Sequence, residues 1–359
     1  VPGISGNNDK TMEVLTESGA ATTINLHQRR ESVNGHGVSL LLGGYMRVGN
    51  GGFTYEWIAD WGKLPAGYEF GGVPNGAVDR MGRVFLYSRT AHPVMVFDAD
   101  GKFKKSWGEG VFTRPHHATM GPDDTFYCVD DLDHTVRKCT LDGQILMTLG
   151  TKNQPSDTGY DGRDYHSIKR GGPPFNRPTS LALGPGGEMY VSDGYGNTRV
   201  HKFSPDGQLI KSWGEPGTGP GQFSIVHTVC VDRKGKVYVA DRQNHRIQVF
   251  TPDGEYITEW TDFHRPCGMF MGSDDLLYIG ELHTSSPDAP ARITILDLEG
   301  HILARWGGND IWQPGNCYAP HGLWGDPAGN IYVGELASES ERFERPAAFP
   351  AVHKLVRVK

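Results

Sequence analysis

One unit recurs along this chain and restricts its possible folds more than any other feature. It is clearest at 177–214, RPTSLALGPGG / EMYVSDGYGN / TRVHKFSPDG / QLIKSWG, where each division is a Gly, Asp or Asn turn signal. Between the turns, each segment alternates or is rich in β-branched and aromatic residues, the pattern of a four-stranded antiparallel meander. Units of about 40 residues with four strands are the mark of propeller blades.

The first strand of the unit opens six times: VPNGAVD (73), RPHHATMGP (114), RPTSLALGP (177), IVHTVCVD (225), RPCGMFMGS (265) and APHGLWGD (319). The last strand also recurs six times: YEWIADWG (55), KFKKSWG (102), QILMTLG (144), QLIKSWG (208), EYITEW (255) and HILARWG (301). The two registers are offset, because the chain opens with a fourth strand and closes with a third, AVHKLVRVK. The sequence is therefore expected to be all-β, a six-bladed β-propeller of four-stranded antiparallel blades over 51–359. The N-terminal strand at 55–62 completes the last blade and closes the ring, which removes exposed sheet edges. Residues 1–50 are left as an N-terminal extension.

Composition agrees, with 49 Gly and 23 Pro in 359 residues and no long apolar run of helical period. A formal charge of −7 excludes a general nucleic-acid binder, which needs a basic face. No stretch approaches the roughly 18 apolar residues of a membrane span. The cluster VSLLLGGYM at 38–46 is too short and lacks the flanks of a secretion signal. A monomer is expected; the compartment is left open, with the cytoplasm favoured. Five cysteines do not make a disulfide scaffold. Cys128 and Cys139, in YCVDDLDHTVRKC, sit on two strands of one hairpin and are either reduced thiols or a bridge.

First strands line the channel of a propeller, so equivalent positions form a ring. The position after the opening proline or its equivalent reads Asn75, His116, Thr179, His227, Cys267 and His321. Histidine occupies every second blade, which gathers three imidazoles about the axis at one depth. Three histidines with an open side form a catalytic zinc pattern, whereas a structural zinc is closed by four ligands. Ferrous iron or manganese fits the same ring. His117, the next residue along its strand, is expected to point away from the axis into the packing between strands or blades. His134 and His245, in the turns LDHT and QNHR, read as structural.

The turns from second to third strand lie on the same face as the starts of the first strands. They bring Arg89, Tyr195 and His283 toward the ring as groups able to act on a metal-bound substrate. Asn75, Thr179 and Cys267 are weaker candidates for touching substrate. Extended loops at 151–176, 284–291 and 337–350 gather at the same mouth, as a wall or lid would.

Three stretches carry a family resemblance: PTSLALGPGGEMYVSDGYGNTRVHKFSPDGQLIKSWGE, PGQFSIVHTVCVDRKGKVYVADRQNHRIQVF and APHGLWGDPAGNIYVGE. They resemble the NHL-repeat propellers and, more closely, the peptidyl-α-hydroxyglycine α-amidating lyases. The resemblance covers about half the chain and implies zinc on His116, His227 and His321. It also implies a catalytic Tyr195 and an active-site Arg89. The family's structural calcium ligand falls on Gly322, which puts calcium in doubt. Its cross-strand disulfide falls on Tyr238 and Val249, and Cys128 and Cys139 show the same spacing elsewhere.

The implied reaction splits an α-hydroxyglycine carbinolamide, or a related α-hydroxy compound, at a C–N or similar bond. The substrate is then a small molecule or peptide-like, and departures around the pocket argue against a simple glycine-extended peptide. The alternatives are a metal-dependent ester or lactone hydrolase and a non-catalytic NHL binding scaffold.

Overall fold

The computed structural model describes residues 46–58, 61–284, 288–336 and 349–358, together with the strands Thr11–Leu15, Ala21–Asn25 and Ser39–Leu40. Most of the 337–350 loop, residues 285–287 of the 284–291 loop and residues 59–60 of the closing strand lie outside the described residues.

Five four-stranded sheets and one six-stranded sheet make a six-bladed β-propeller. Blade 1 runs through Asn75–Val78, Val84–Tyr87, Val94–Phe97 and Phe103–Trp107. Blades 2 to 5 begin with Pro115–Met120, Pro178–Leu183, Val226–Val231 and Pro266–Met271, and each adds its strands outward in chain order. Within each blade the second strand is buried along its length, as in VFLY, TFYCVD and VYVAD. The outermost strands are partly exposed, as in FKKSW and LIKSW. The core lies between neighbouring blades, where aromatic residues of one sheet meet those of the next. Phe85 and Tyr87 of blade 1, for example, pack with Phe126 and Cys128 of blade 2. The third-to-fourth-strand turns close on glycines in the left-handed region, such as Gly143 (φ +91°) and Gly254 (φ +78°).

Blade 6 shows how the ring closes. Its strands Pro320–Gly325, Ile331–Glu335 and Val352–Arg357 come from the C-terminal end, and its fourth is the N-terminal strand Phe53–Ile58. Leu355 lies opposite Trp57, and Arg357 lies opposite Tyr55. The sheet then goes beyond the expected four strands, because Met46–Asn50 pairs with Phe53–Ile58 and Ser39–Leu40 pairs in turn with Met46–Asn50. Val48 of the added strand is buried with Tyr55 and Trp306. Residues 46–50 therefore belong to the propeller rather than to the extension. The chain divides into compact units at 1–36 and 37–359, the smaller containing the hairpin of Thr11–Leu15 with Ala21–Asn25.

A buried acid at the end of the second strand fastens five blades to the chain arriving from the blade before. Asp130, Asp193, Asp241, Glu281 and Glu335 accept the backbone N–H of Thr113, Asn176, Ser224, His264 and Ala319, at 2.5–3.1 Å. All five are fully buried, so each pairing satisfies a donor and an acceptor that water cannot reach. All five cysteines are buried and outside any disulfide. Cys128 lies opposite Arg137 and Cys139 opposite Phe126, so the two sulfurs are diagonal neighbours on one face. No helix among the described residues is long and apolar enough to cross a membrane.

Candidate metal centre

In each of blades 2, 4 and 6 the first strand begins with a β-bulge, and the histidine is the extra residue. The ladder skips from Pro115 to His117, from Val226 to Thr228 and from Pro320 to Gly322. A bulge leaves its residue outside the ladder and re-aims its side chain. His116, His227 and His321 therefore turn together toward the axis. All three are buried, and their ring centroids lie 5.1, 4.9 and 4.8 Å apart, close to threefold symmetry.

The intervening blades hold these rings in orientation. His116 Nδ1 lies 2.5 Å from Thr179 O, His227 Nδ1 3.1 Å from Cys267 O, and His321 Nδ1 3.0 Å from Pro74 O. Thr179 and Cys267 sit in the bulges of blades 3 and 5, where carbonyls fall outside the ladder. A carbonyl can only accept, so each Nδ1 carries the proton and each Nε2 presents a lone pair. One candidate ligand atom from each histidine lies within 4.8 Å of the other two. Burial holds all three imidazoles well below the ordinary histidine pKa. Neighbouring charge acts in the same direction: His321, His227 and Arg89 on His116, Arg242 and His321 on His227, and Arg89 on His321. The three rings are thus neutral acceptors at neutral pH.

Tyr195 is the group that meets them. Its hydroxyl lies 2.9 Å from His116 Nε2 and 3.1 Å from His227 Nε2. One phenol proton cannot serve two imidazole lone pairs. A cation bound by all three Nε2 atoms resolves that shortage, so the residues fit a divalent transition ion. At Gly322 a Cβ would lie 2.2 Å from Pro74 O, so the close strand approach leaves no room for a carboxylate side chain at that position.

Arg89 donates from Nε to Pro115 O at 3.0 Å, beside the first histidine. Arg242 was not singled out from the sequence, yet its guanidinium lies over the Tyr195 ring, 5.4 Å from the centroid. It follows the second strand of its blade as Arg89 follows that of blade 1, so the repeat register carried the signal. Arg177 lies over the same ring at 5.3 Å and pairs with the buried Asp131 at 2.8 Å, which also holds Arg114 at 3.0 Å. Arg265 donates to Gln243 Oε1 at 3.1 Å and to the carbonyl of His283 at 3.3 Å. The mouth of a chain whose net charge is −7 is thus rimmed with arginine.

The remaining candidates are placed differently. Asn75 accepts the Ala118 N–H at 3.3 Å, and Thr179 donates from Oγ1 to Val226 O at 2.7 Å, so both stitch neighbouring blades together. Cys267 is buried with its sulfur 3.5 Å from His227 Nδ1. The His283 ring faces Tyr318, 6.1 Å between centroids. His117 departs from expectation. After the bulge it resumes the ladder opposite Val129 and lines the channel below the ring, in a cavity of about 330 Å³ bordered also by Gly76, Thr119 and Val229. The bulge at His116 breaks the alternation that would have turned His117 into the packing.

Residues 175–203 and 223–250, in blades 3 and 4, match the NHL repeat. The chain is similar to NHL repeat-containing protein 3 of Mus musculus, 36% identical over 182 residues that cover 47% of this chain and 49% of that protein. It is also similar to peptidyl-alpha-hydroxyglycine alpha-amidating lyase 1 of Drosophila melanogaster, 33% identical over 160 residues that cover 41% of this chain and 27% of that protein. The chain thus spans half or less of the length of these relatives. Among solved structures, virginiamycin B lyase of Staphylococcus aureus aligns with a TM-score of 0.54 at 16% identity, covering 82% of this chain and 98% of that one. At that identity the likeness is one of fold. The chain carries NHL repeats in a six-bladed propeller, with relatives among the amidating lyases.

Proposed function

We propose that this propeller is a metal-dependent lyase acting on an α-hydroxyglycine-like carbinolamide or related α-hydroxy compound. The carrying observation is the convergence of three buried, neutral Nε2 atoms with a single phenol proton among them. His116, His227 and His321 would hold zinc, with ferrous iron or manganese suited to the same donors. Such an ion supplies Lewis acidity, lowering the pKa of a bound hydroxyl.

The chain's own groups divide the remaining work. Arg89 and Arg242 offer paired N–H donors to a substrate carboxylate and set it beside the ring. Tyr195 relays a proton, its oxygen taking up the substrate hydroxyl proton as its phenol O–H is donated to the leaving nitrogen. As the C–N bond breaks, its electron pair stays on nitrogen and receives that donated proton. The hydroxyl-bearing carbon becomes an aldehyde, so one carbinolamide gives one amide and one α-oxo acid, with no water consumed. The similarity to the Drosophila amidating lyase supports this reaction class.

A binding-platform reading is favoured by one finding, the similarity to NHL repeat-containing protein 3. Elemental analysis of the purified protein, followed by assay with N-acetyl-α-hydroxyglycine, separates the two. One equivalent of transition metal and stoichiometric release of amide and glyoxylate are expected. Turnover that survives complete metal removal would sink the metal-dependent reading, and bound metal without turnover would sink the lyase.

A further inference from the structure

The 151–176 connection is not a loose lid. Its backbone is folded on itself, with Lys169 N bonded to Thr158 O at 2.9 Å and Ser156 N to Phe175 O at 2.9 Å. It is also fastened to the turn that carries Tyr195. Thr158 Oγ1 donates to Gly196 O at 2.6 Å, and Gly172 N donates to Asn197 Oδ1 at 3.2 Å. Gly196 is needed at that seam, since a Cβ there would lie 2.2 Å from Asn176 Oδ1 and 2.9 Å from the Tyr160 ring.

Two tyrosines of the insertion reach the mouth. Arg177 NH1 donates to Tyr160 Oη at 3.2 Å while the same guanidinium lies over the Tyr195 ring. Gln243 Nε2 donates to Tyr165 Oη at 3.2 Å, and Gln243 Oε1 accepts from Arg265. The insertion therefore leaves blade 2, crosses the Tyr195 turn of blade 3 and lands on the turn of blade 4. On that side the mouth is walled, and the wall fixes two of the rim arginines.

We propose that the 151–176 insertion is the specificity element of the site, admitting a compact carboxylate and excluding a carboxylate that carries an extended peptide. Tyr165 forms the barrier with Gln243, and Tyr160 is a positioning residue that holds Arg177 in place. The inference rests on the reading that the mouth receives a carboxylate-bearing substrate, but it concerns binding, so it is tested without turnover.

The experiment is calorimetric titration of the full-length, zinc-loaded protein with N-acetylglycine and with an N-acetylated tetrapeptide ending in glycine. The wild type should bind N-acetylglycine more tightly. Tyr165→Ala should shift the ratio of the two affinities toward the peptide by about tenfold, the scale on which a steric wall discriminates. Tyr160→Phe, which removes only the hydroxyl, should weaken N-acetylglycine by about fivefold at unchanged melting temperature, as expected for one hydrogen bond to a charged group. Tyr165→Phe keeps the ring and should preserve the wild-type ratio. An unchanged ratio in Tyr165→Ala, tighter wild-type binding of the peptide, or no binding of either probe would each overturn the proposal. Binding selectivity without turnover of N-acetyl-α-hydroxyglycine would instead leave the wall standing and remove the lyase.

Discussion

Two sets of histidines in this propeller are used as opposite tautomers. In the ring, Nδ1 of His116, His227 and His321 faces a carbonyl and must donate, which leaves Nε2 as the lone pair. In the turns between second and third strands, Nδ1 of His134 and His245 faces a backbone N–H and must accept. Arg177 N donates to His134 at 3.1 Å, and Arg265 N donates to His245 at 3.2 Å. The ring histidines present their lone pairs to one point on the axis, while the turn histidines spend theirs joining one blade to the next. His353 behaves like the second set, accepting from Trp57 Nε1 at 3.1 Å and facing Glu335 through Nε2 at 3.2 Å across the ring closure. Function here follows which nitrogen is committed to the scaffold.

The contrast is tested hardest by placing asparagine at both kinds of site. At His321 an amide reproduces neither the reach nor the basicity of Nε2. His321→Asn should lose stoichiometric metal, and kcat/KM should fall about a thousandfold or more, given that Lewis-acid stabilisation is worth several kcal/mol. Compared metal-free, variant and wild type should differ little in melting temperature. At His245 the outcome should reverse. The residue sits at φ +56°, a region asparagine tolerates, and only an acceptor for the Arg265 N–H is required. His245→Asn should keep metal and most stability, while His245→Ala should cost about 1 kcal/mol or less, because water can take over the exposed Arg265 N–H. If His245→Asn loses metal while His321→Asn keeps it, the division of labour is wrong.

The propeller and the ring were both legible in the sequence, because turn signals and first-strand openings recur in register and a ring needs only the register. What the register could not convey was the bulge. Period-two alternation assigned His116 and His117 to opposite sides, but the bulge makes His116 an extra residue and leaves His117 lining the channel. Arg242 lies inside ADRQNHRIQVF, a general repeat signature that carries no mark of its equivalence to Arg89. The strand Met46–Asn50 lacked any signal of its own, since it follows no repeat and is stabilised by burying Val48 against Trp306 of the neighbouring blade.

The smallest expected effect concerns pH and separates the two sets without abolishing either. Burial lowers the pKa of His134 and His245 as well as that of the ring. A histidine with a folded pKa below its unfolded value of about 6.5 binds fewer protons folded than unfolded, so stability rises with pH through that interval. Its contribution is complete above about pH 6.5 and is lost as the pH falls toward the folded pKa. Metal-free protein should therefore lose melting temperature steadily between pH 7 and pH 5. In the wild type the slope is shared by both sets with His117 and His264 and is opposed by Asp241, whose buried carboxyl is raised to about 6, but asparagine has no proton to gain. Metal-free His245→Asn should show a shallower pH slope than the metal-free wild type, by well under one histidine's full share because His245 is exposed and solvent screens its shift. Melting curves at half-unit intervals measure it. A slope unchanged by His245→Asn would mean that His245 titrates alike in the folded and unfolded chain, and that its lone pair is not committed to the Arg265 N–H.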